Sequence, residues 1–399
     1  MSRIHAMLRD ALGPRRSDRG PADHLRATME WLCRAQDAAG GGGVSRSYTL
    51  RFMRAHGRRG WLAAYPETTG YIIPTFLRYA ALTGEDDYRQ RALRMAEWES
   101  DVQMESGAVQ GGVIDFAPTP AVFNTGQVLF GWAAAFRDSG NERFLHSAHR
   151  AADFLVAAQD EDGAWHRHGS LYARAGVNVY DARSAWGLLE AAAVTGSERH
   201  REAGRRNLEF VLTRQVDNGW FEECCLDDNQ RPLLHTIAYT MEGLLEGGVL
   251  LDEPRFIEAA RLAADALLQR RRSDGSLAGR FNREWTPSAR WSCLTGDAQT
   301  AIAWLRLHEL TGEARYRQAA QALNRYLAST QDLESPDPGI RGGVKGSQPI
   351  WGEYGSYEYL NWAAKFYADA LMLELHSASG TSHGTVDAPL VGAGVSRAS

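Results

Sequence analysis

The chain reads as an all-α protein, an (α/α)6 barrel in which six helical hairpins close into a toroid. Two observations predict it. A bulky, mostly aromatic residue after a turn signal recurs at Tyr88, Phe144, His200 and Phe256, each 56 residues from the last, and again at Tyr316, 60 further on. Ahead of each lies an apolar, helix-patterned segment ending in a small pair: Thr83-Gly84, Ser139-Gly140, Thr195-Gly196, Gly247-Gly248 and Thr311-Gly312. A period this long is one supersecondary unit per copy, and such a unit buries its apolar face only against its neighbours. Closing six of them leaves a central cavity.

Each unit holds two helices. The outer ones are rich in Arg, Glu and Ala, with apolar residues at i, i+3, i+4 and i+7. The run from Asp87 to Trp98 is typical. Its relatives begin near Glu142, Glu198, Glu253 and Glu313, and the earliest spans about Asp23 to Gln36. The inner ones carry little charge and cover about 68–82, 123–137, 179–193, 235–247, 295–310 and 358–374. A helix apolar almost all round is one buried on most sides. A Gln, often Asp, then Gly follows the outer helices, as in Gln159-Asp160 with Gly163 and Trp165, or Gln215 with Gly219-Trp220; the fifth copy is degenerate, Ser273-Asp274-Gly275. Glycine there reads as a helix stop. The long connections (about 37–66, 104–122, 160–177, 216–234, 271–292 and 332–356) all follow outer helices, so they gather on one rim where the inner helices begin. Six long loops collected on one rim read as functional.

Composition narrows the class. The 399 residues carry a net charge of −5 and no basic block, which argues against a nucleic-acid partner. No apolar run reaches membrane-spanning length, so no membrane insertion is expected. The segment 1–21 has Arg and Pro but no apolar core and reads as an extension rather than a secretory signal. Residues 22–376 form the toroid domain, and 377–399 lack periodicity and read as a disordered tail. Cys33, Cys224, Cys225 and Cys293 lack metal-site spacing and read as reduced thiols of a cytoplasmic protein. No metal and no cofactor is expected; a site from Cys224, Cys225, Cys293 and His235 is a minor alternative.

The stretches Tyr65-Pro66-Glu67-Thr68-Thr69-Gly70-Tyr71-Ile72-Ile73-Pro74 and Asn361-Trp362-Ala363-Ala364-Lys365-Phe366, with the six-fold pattern over about 22–375, resemble the six-hairpin glycosidase-like superfamily. They are also similar to bacterial polysaccharide-biosynthesis and squalene-cyclase-like proteins. The resemblance implies the toroid and, in style, uronic-acid-acting hydrolases, polysaccharide lyases and sugar epimerases. A fold of this kind hosts many reactions.

Chemistry is expected where inner helices begin, because their N-terminal dipoles and free N–H groups favour an anionic ligand. The candidates there are Glu67, Asn124 with Gln127, Asp181 with Arg183, His235 with Tyr239, Asp297 with Gln299, and Glu353 with Tyr354. Each has a structural alternative. Glu67, Asn124 and His235 are read equally as helix caps, Asp297 as a first-turn dipole partner, and Asp181 with Arg183 as an ion pair. Lys365 reads as a salt-bridge partner of an inner-helix acid. Trp61, Trp291 and Trp351 break the repeat register and suit sugar stacking, as does Trp285, while Trp165 and Trp220 keep register and read as hairpin locks.

The expected function is a carbohydrate-active enzyme on an anionic, uronic-acid-type oligosaccharide or polysaccharide precursor. A hydrolase would use two carboxyls, Asp181 and Asp297 first, with Glu67 and Glu353 behind them. A lyase or epimerase would use His235 or Tyr239 as base and Arg183 or Asn124 to neutralise an enolate. A terpene- or lanthionine-type cyclase and a non-catalytic glycan-binding protein are the alternatives. Leu226-Asp227-Asp228-Asn229 lacks the leading acid of a cyclase motif, and no His neighbours a Cys.

Overall fold

The computed structural model describes residues 3–12, 18–173 and 176–379. After a short N-terminal helix, α1 (Arg3–Leu12), twelve helices alternate between an outer and an inner ring. The outer ring is α2 (Pro21–Ala38), α4 (Asp86–Val102), α6 (Glu142–Ala158), α8 (Glu198–Leu212), α10 (Pro254–Leu268) and α12 (Ala314–Thr330). The inner ring is α3 (Pro66–Thr83), α5 (Val122–Ser139), α7 (Ala182–Thr195), α9 (Leu234–Leu251), α11 (Leu294–Thr311) and α13 (Asn361–Ser379). Each inner helix packs on its two inner neighbours, and α13 packs on α2 and α3, so the ring closes. The segment 380–399, most of the expected tail, lies outside the described residues.

The repeated signals have physical reasons. The Gln that follows an outer helix is a staple. Gln103 Nε2 donates to the carbonyls of Gly107 and Ser147, Gln159 to those of Gly163 and Ala203, and Gln215 to those of Gly219 and Ala259. Each thereby holds its own loop and the next outer helix with one amide. Gln331 does the same to Gly342 and to Thr28 of α2, joining the last unit to the first. The loop glycines allow the approach: a Cβ on Gly163 would stand 2.5 Å from the Arg206 carbonyl oxygen. Inner helices meet at a second register of small residues. A Cβ on Gly131, Gly187 or Gly243 would stand 2.4, 2.2 or 2.3 Å from the backbone of Gly70, Gly126 or Ala182. Backbones this close need a residue without a side chain at one partner.

Buried ion pairs tie the inner ring as well. Lys365 Nζ lies 2.7 Å from Asp369, which also meets Arg78 of α3, and Arg306 pairs with Glu246.

Three expectations are corrected. Gly247-Gly248 does not end the fourth inner helix; α9 continues to Leu251 and stops at Asp252 in a left-handed conformation. The two glycines instead make room for Leu208 and Ile257 of adjacent outer helices. Residues 358–360 are a strand rather than helix, because β5 (Glu358–Leu360) pairs with β1 (Ser47–Met53), which also pairs with β2 (Arg58–Trp61). Residues 179–181 form a 3-10 turn that leads into α7.

Candidate active site

The rim loops and the first turns of the inner helices enclose a cavity of about 180 Å³. Helix geometry decides who lines it. Glu67, Phe123, His235 and Trp362 are each the second residue of their inner helix, and all four face the cavity. Tyr71 and Tyr239 stand four residues on, one turn deeper on the same face. The loops add Arg46, Tyr65, Ser170, Tyr172, Tyr180, Leu226 and Tyr354. The wall is therefore largely aromatic, with one carboxyl, one guanidinium and one imidazole.

Glu67 does not cap α3; the N-cap residue Tyr65 makes no side-chain cap, and its hydroxyl donates instead to the Glu67 carboxylate. Burial raises the Glu67 carboxyl to about 7, while the Tyr65 hydroxyl, Arg46 and Arg183 hold it back. Asp181, in the turn before α7 and next to the lining residue Tyr180, is raised to about 8 by burial. Among the described residues no donor reaches its carboxylate. Arg46 is held by Glu358 at 2.5 Å and lies 5.0 Å from the Trp362 ring centroid, while its Nε is buried without a hydrogen-bond partner among the described residues.

His235 is fixed from below. The Arg183 guanidinium donates to Glu242 Oε2 (2.7 Å) and Gln127 Oε1 (2.9 Å), and Gln299 Nε2 donates to the same Glu242 oxygen (3.1 Å). That orients the Gln299 carbonyl toward His235 Nδ1 at 2.5 Å, so Nδ1 carries the proton and Nε2 keeps the lone pair. Burial lowers the imidazole to about 3. The same burial, with the Glu67 charge nearby, holds the Tyr239 phenol well above its usual value. Arg183 itself is fully buried, with its guanidinium carbon 4.9–5.8 Å from the ring centroids of Tyr71, Phe130, Trp186, Tyr239 and Phe366. These rings come from five inner helices, so Arg183 sits among aromatics in the packed middle of the barrel.

The other expected residues lie elsewhere. Asp297 is fully buried away from the lining set, accepts only from Leu277 N (3.3 Å), and is pushed well above the usual carboxylate range by burial. Asn124 is buried and donates to the Gln110 carbonyl rather than capping α5. Gln127 and Gln299 belong to the buried network. Trp61 packs on Trp31 and Tyr48 at 5.1 Å each, and Trp285 meets Trp220 edge to face. Trp291 is buried against Gly279 and Gly352, Trp165 donates to the Leu155 carbonyl, and Trp351 is exposed. Glu353 pairs with Arg280, whereas Tyr354 lines the cavity 5.3 Å from the His235 ring and accepts from Trp362 Nε1. The thiols of Cys224, Cys225 and Cys293 do not form a ligand group with His235.

Arg46, Phe123, Tyr172 and Trp362 were missed by the sequence reading. Arg46 and Tyr172 come from long loops with no periodicity to place them. Phe123 and Trp362 sit in register with Glu67 and His235, a signal the helix-start alignment contains.

Solved structures share this architecture. The unsaturated glucuronyl hydrolase of Bacillus sp. GL1 aligns with a TM-score of 0.69 at 16% identity, over 88% of this chain and 96% of that one. A heparin-specific unsaturated glucuronyl hydrolase aligns at 0.70 and 15%, over 90% and 99%. The Streptococcus agalactiae unsaturated glucuronyl hydrolase aligns at 0.67 and 13%, over 92% and 94%. The fold is theirs: an all-α six-hairpin toroid. No family model matches the sequence, and neither does any curated protein. No helix among the described residues is long and apolar enough to cross a membrane.

Proposed function

We propose that the protein is a glycoside hydrolase that removes a terminal uronic acid from an anionic oligosaccharide. The observation that carries the reading is the cavity at the mouth of the toroid, a largely aromatic wall that holds one carboxyl, Glu67, and one guanidinium, Arg46; the protonation of its buried groups agrees with it. At neutral pH the useful acid–base groups are those with values near the operating pH. Those are Glu67 and Asp181, at about 7 and about 8. His235, at about 3, is a weak base, and Tyr239, raised well above its usual value, is a poor one. The set favours carboxyl chemistry over the lyase and epimerase alternatives.

In this reading Asp181, which stands beside the lining residue Tyr180 rather than on the wall itself, keeps its proton up to about pH 8 and is the second carboxyl of the pair, the donor to the leaving glycosidic oxygen. Glu67, steadied by the Tyr65 hydroxyl, serves as the carboxylate partner. Arg46, the one guanidinium among the lining residues, faces the sugar carboxylate. The aromatic wall stacks on the C–H faces of the ring. The glucuronyl substrates named for the structural relatives support the same substrate class, and one relative was captured with a dGlcA-headed tetrasaccharide. The chain's four free cysteines fit a reducing compartment, the cytoplasm, where imported oligosaccharides would be processed.

The test is incubation with an unsaturated uronyl disaccharide and, separately, a saturated uronic-acid chain. Loss of the ultraviolet absorbance of the C4–C5 double bond, with new reducing ends, is the expected result. New absorbance from the saturated chain would replace hydrolysis by a lyase reaction. No turnover of either, with no thermal shift, would remove the carbohydrate reading.

A further inference from the structure

His149, Asp153 and His200 lie on the outer ring, away from the central cavity. His149 and Asp153 are four apart on one face of α6, and His200 reaches across from the first turn of α8. His149 Nδ1 lies 3.1 Å from one Asp153 oxygen, and His200 Nε2 lies 3.0 Å from the other. The three donor atoms all fall within 4.8 Å of one another, the single group of this kind among the described residues.

The repeat shows what is peculiar here. The same three positions at the α10–α12 junction hold Arg261, Asp265 and Tyr316, with the Tyr316 hydroxyl 2.7 Å from Asp265 and Arg261 at 3.5 Å. At the α8–α10 junction they hold Arg205, Glu209 and Phe256, with Arg205 2.6 Å from Glu209. At both of these junctions an arginine pairs with the carboxylate and a large ring occupies the third position. Only between α6 and α8, of these three junctions, are both replaced by imidazoles. His200 is 1% exposed, in a slot that elsewhere holds Tyr or Phe.

We propose that His149, Asp153 and His200 bind one divalent transition-metal ion of the zinc type, clamping α6 to α8. Two imidazoles and a carboxylate are a ligand set such ions favour. Metal–ligand bonds of about 2.1 Å place tetrahedral donors about 3.4 Å apart, within the 4.8 Å span of the three donor atoms, so side-chain adjustment alone brings them round one ion. His200 is already oriented for the change. Its Nδ1 lies 3.3 Å from Thr195 Oγ1. A hydroxyl both donates and accepts, so when Nε2 gives its proton up to bind the ion, the ring proton moves to Nδ1 and Thr195 accepts it. The half-exposed His149 and Asp153 leave the remaining coordination positions to water. Arg199, 3.5 Å from Asp153 and largely exposed, swings off into solvent.

The repeat also supplies variants that keep the fold. His149→Arg and His200→Tyr each restore a residue used at the α10–α12 junction. Zinc is titrated into chelator-treated full-length protein, followed by calorimetry and by the melting temperature, with magnesium as control. Expected are one zinc per chain, a saturable rise in melting temperature, no effect of magnesium, and at least about tenfold weaker zinc binding in each variant. Absence of saturable binding in the unsubstituted protein up to about 1 mM zinc, or unchanged affinity in either variant, overturns the proposal.

Discussion

Glu67 and Asp297 give the same sequence signal, an acid in the first turn of an inner helix, and the fold gives them different surroundings. Glu67 is the second residue of α3 and faces the cavity, with a tyrosine hydroxyl on its carboxylate. Asp297 is the fourth residue of α11, fully buried, with one carboxylate oxygen unpartnered among the described residues. Two positions at about 100° per residue turn a side chain from the barrel axis to the far face. In α3 the second position faces the cavity, and in α11 the fourth does not. Phe123, His235 and Trp362 share the Glu67 position and the cavity, with Thr236 beside His235, whereas Asn124, the third residue of α5, and Arg183, the second of α7, lie outside the lining.

The sharpest challenge to this contrast is paired substitution. Glu67→Gln and Asp181→Asn are each expected to lower kcat by about 10²–10⁴-fold, the usual contribution of a positioned acid or base, with the melting temperature nearly unchanged. Asp297→Asn is expected to change kcat/KM by less than about threefold. Steady-state kinetics on a uronyl disaccharide reads all three, and a loss at Asp297 as large as at Glu67 would break the comparison.

Next in size is the packed centre. Arg183→Met strands Glu242 in the barrel interior and is expected to lower stability by about 3–5 kcal/mol in urea denaturation. An unchanged midpoint would mean that the ion pair does not hold the ring.

A smaller effect concerns pH. Glu67 must ionise and Asp181 must keep its proton, so kcat/KM is expected to rise through about pH 7 and fall beyond about pH 8. Tyr65→Phe removes the donor that favours the Glu67 carboxylate, so the acid limb moves to higher pH while the alkaline limb stays. A shift of the alkaline limb alone would reassign the two carboxyls.

Stability follows the same groups. The folded values of Glu67 and Asp181 lie above their ordinary 4.5 and 3.8, so their contribution is complete at low pH and lost as pH rises through 7 to 8. His235 is the reverse: its folded value of about 3 lies below 6.5, so its contribution is lost as pH falls from 6.5 toward 3. The loss from each carboxyl begins at its ordinary value, so above about pH 4.5 the two carboxyls lose more than His235 regains; the melting temperature is expected to be highest at about pH 4 and to fall toward about pH 8, and Glu67→Gln to flatten that fall.

The 56-residue period made the ring legible, because outer and inner helices differ in charge and each unit repeats the same Gln and Gly contacts. The site was legible only in part. Glu67, His235, Tyr239 and Tyr354 are in the cavity, and their polarity on otherwise apolar helices marked them. Facing direction was not legible, since it turns on a helix start known only to within a residue or two. Arg46 and Tyr172 depend on loop paths. Arg46 is placed by the strand pairing of Ser47 with Leu360, a contact across more than three hundred residues that no local pattern announces.

The cluster of rings around Arg183 has a consequence for traffic. Below the cavity the barrel axis is filled by the buried Arg183 and the rings around it. In the proposed reaction this filled centre gives a substrate one way in and a product the same way out, so a chain end would enter from the rim and the released sugar would back out through it.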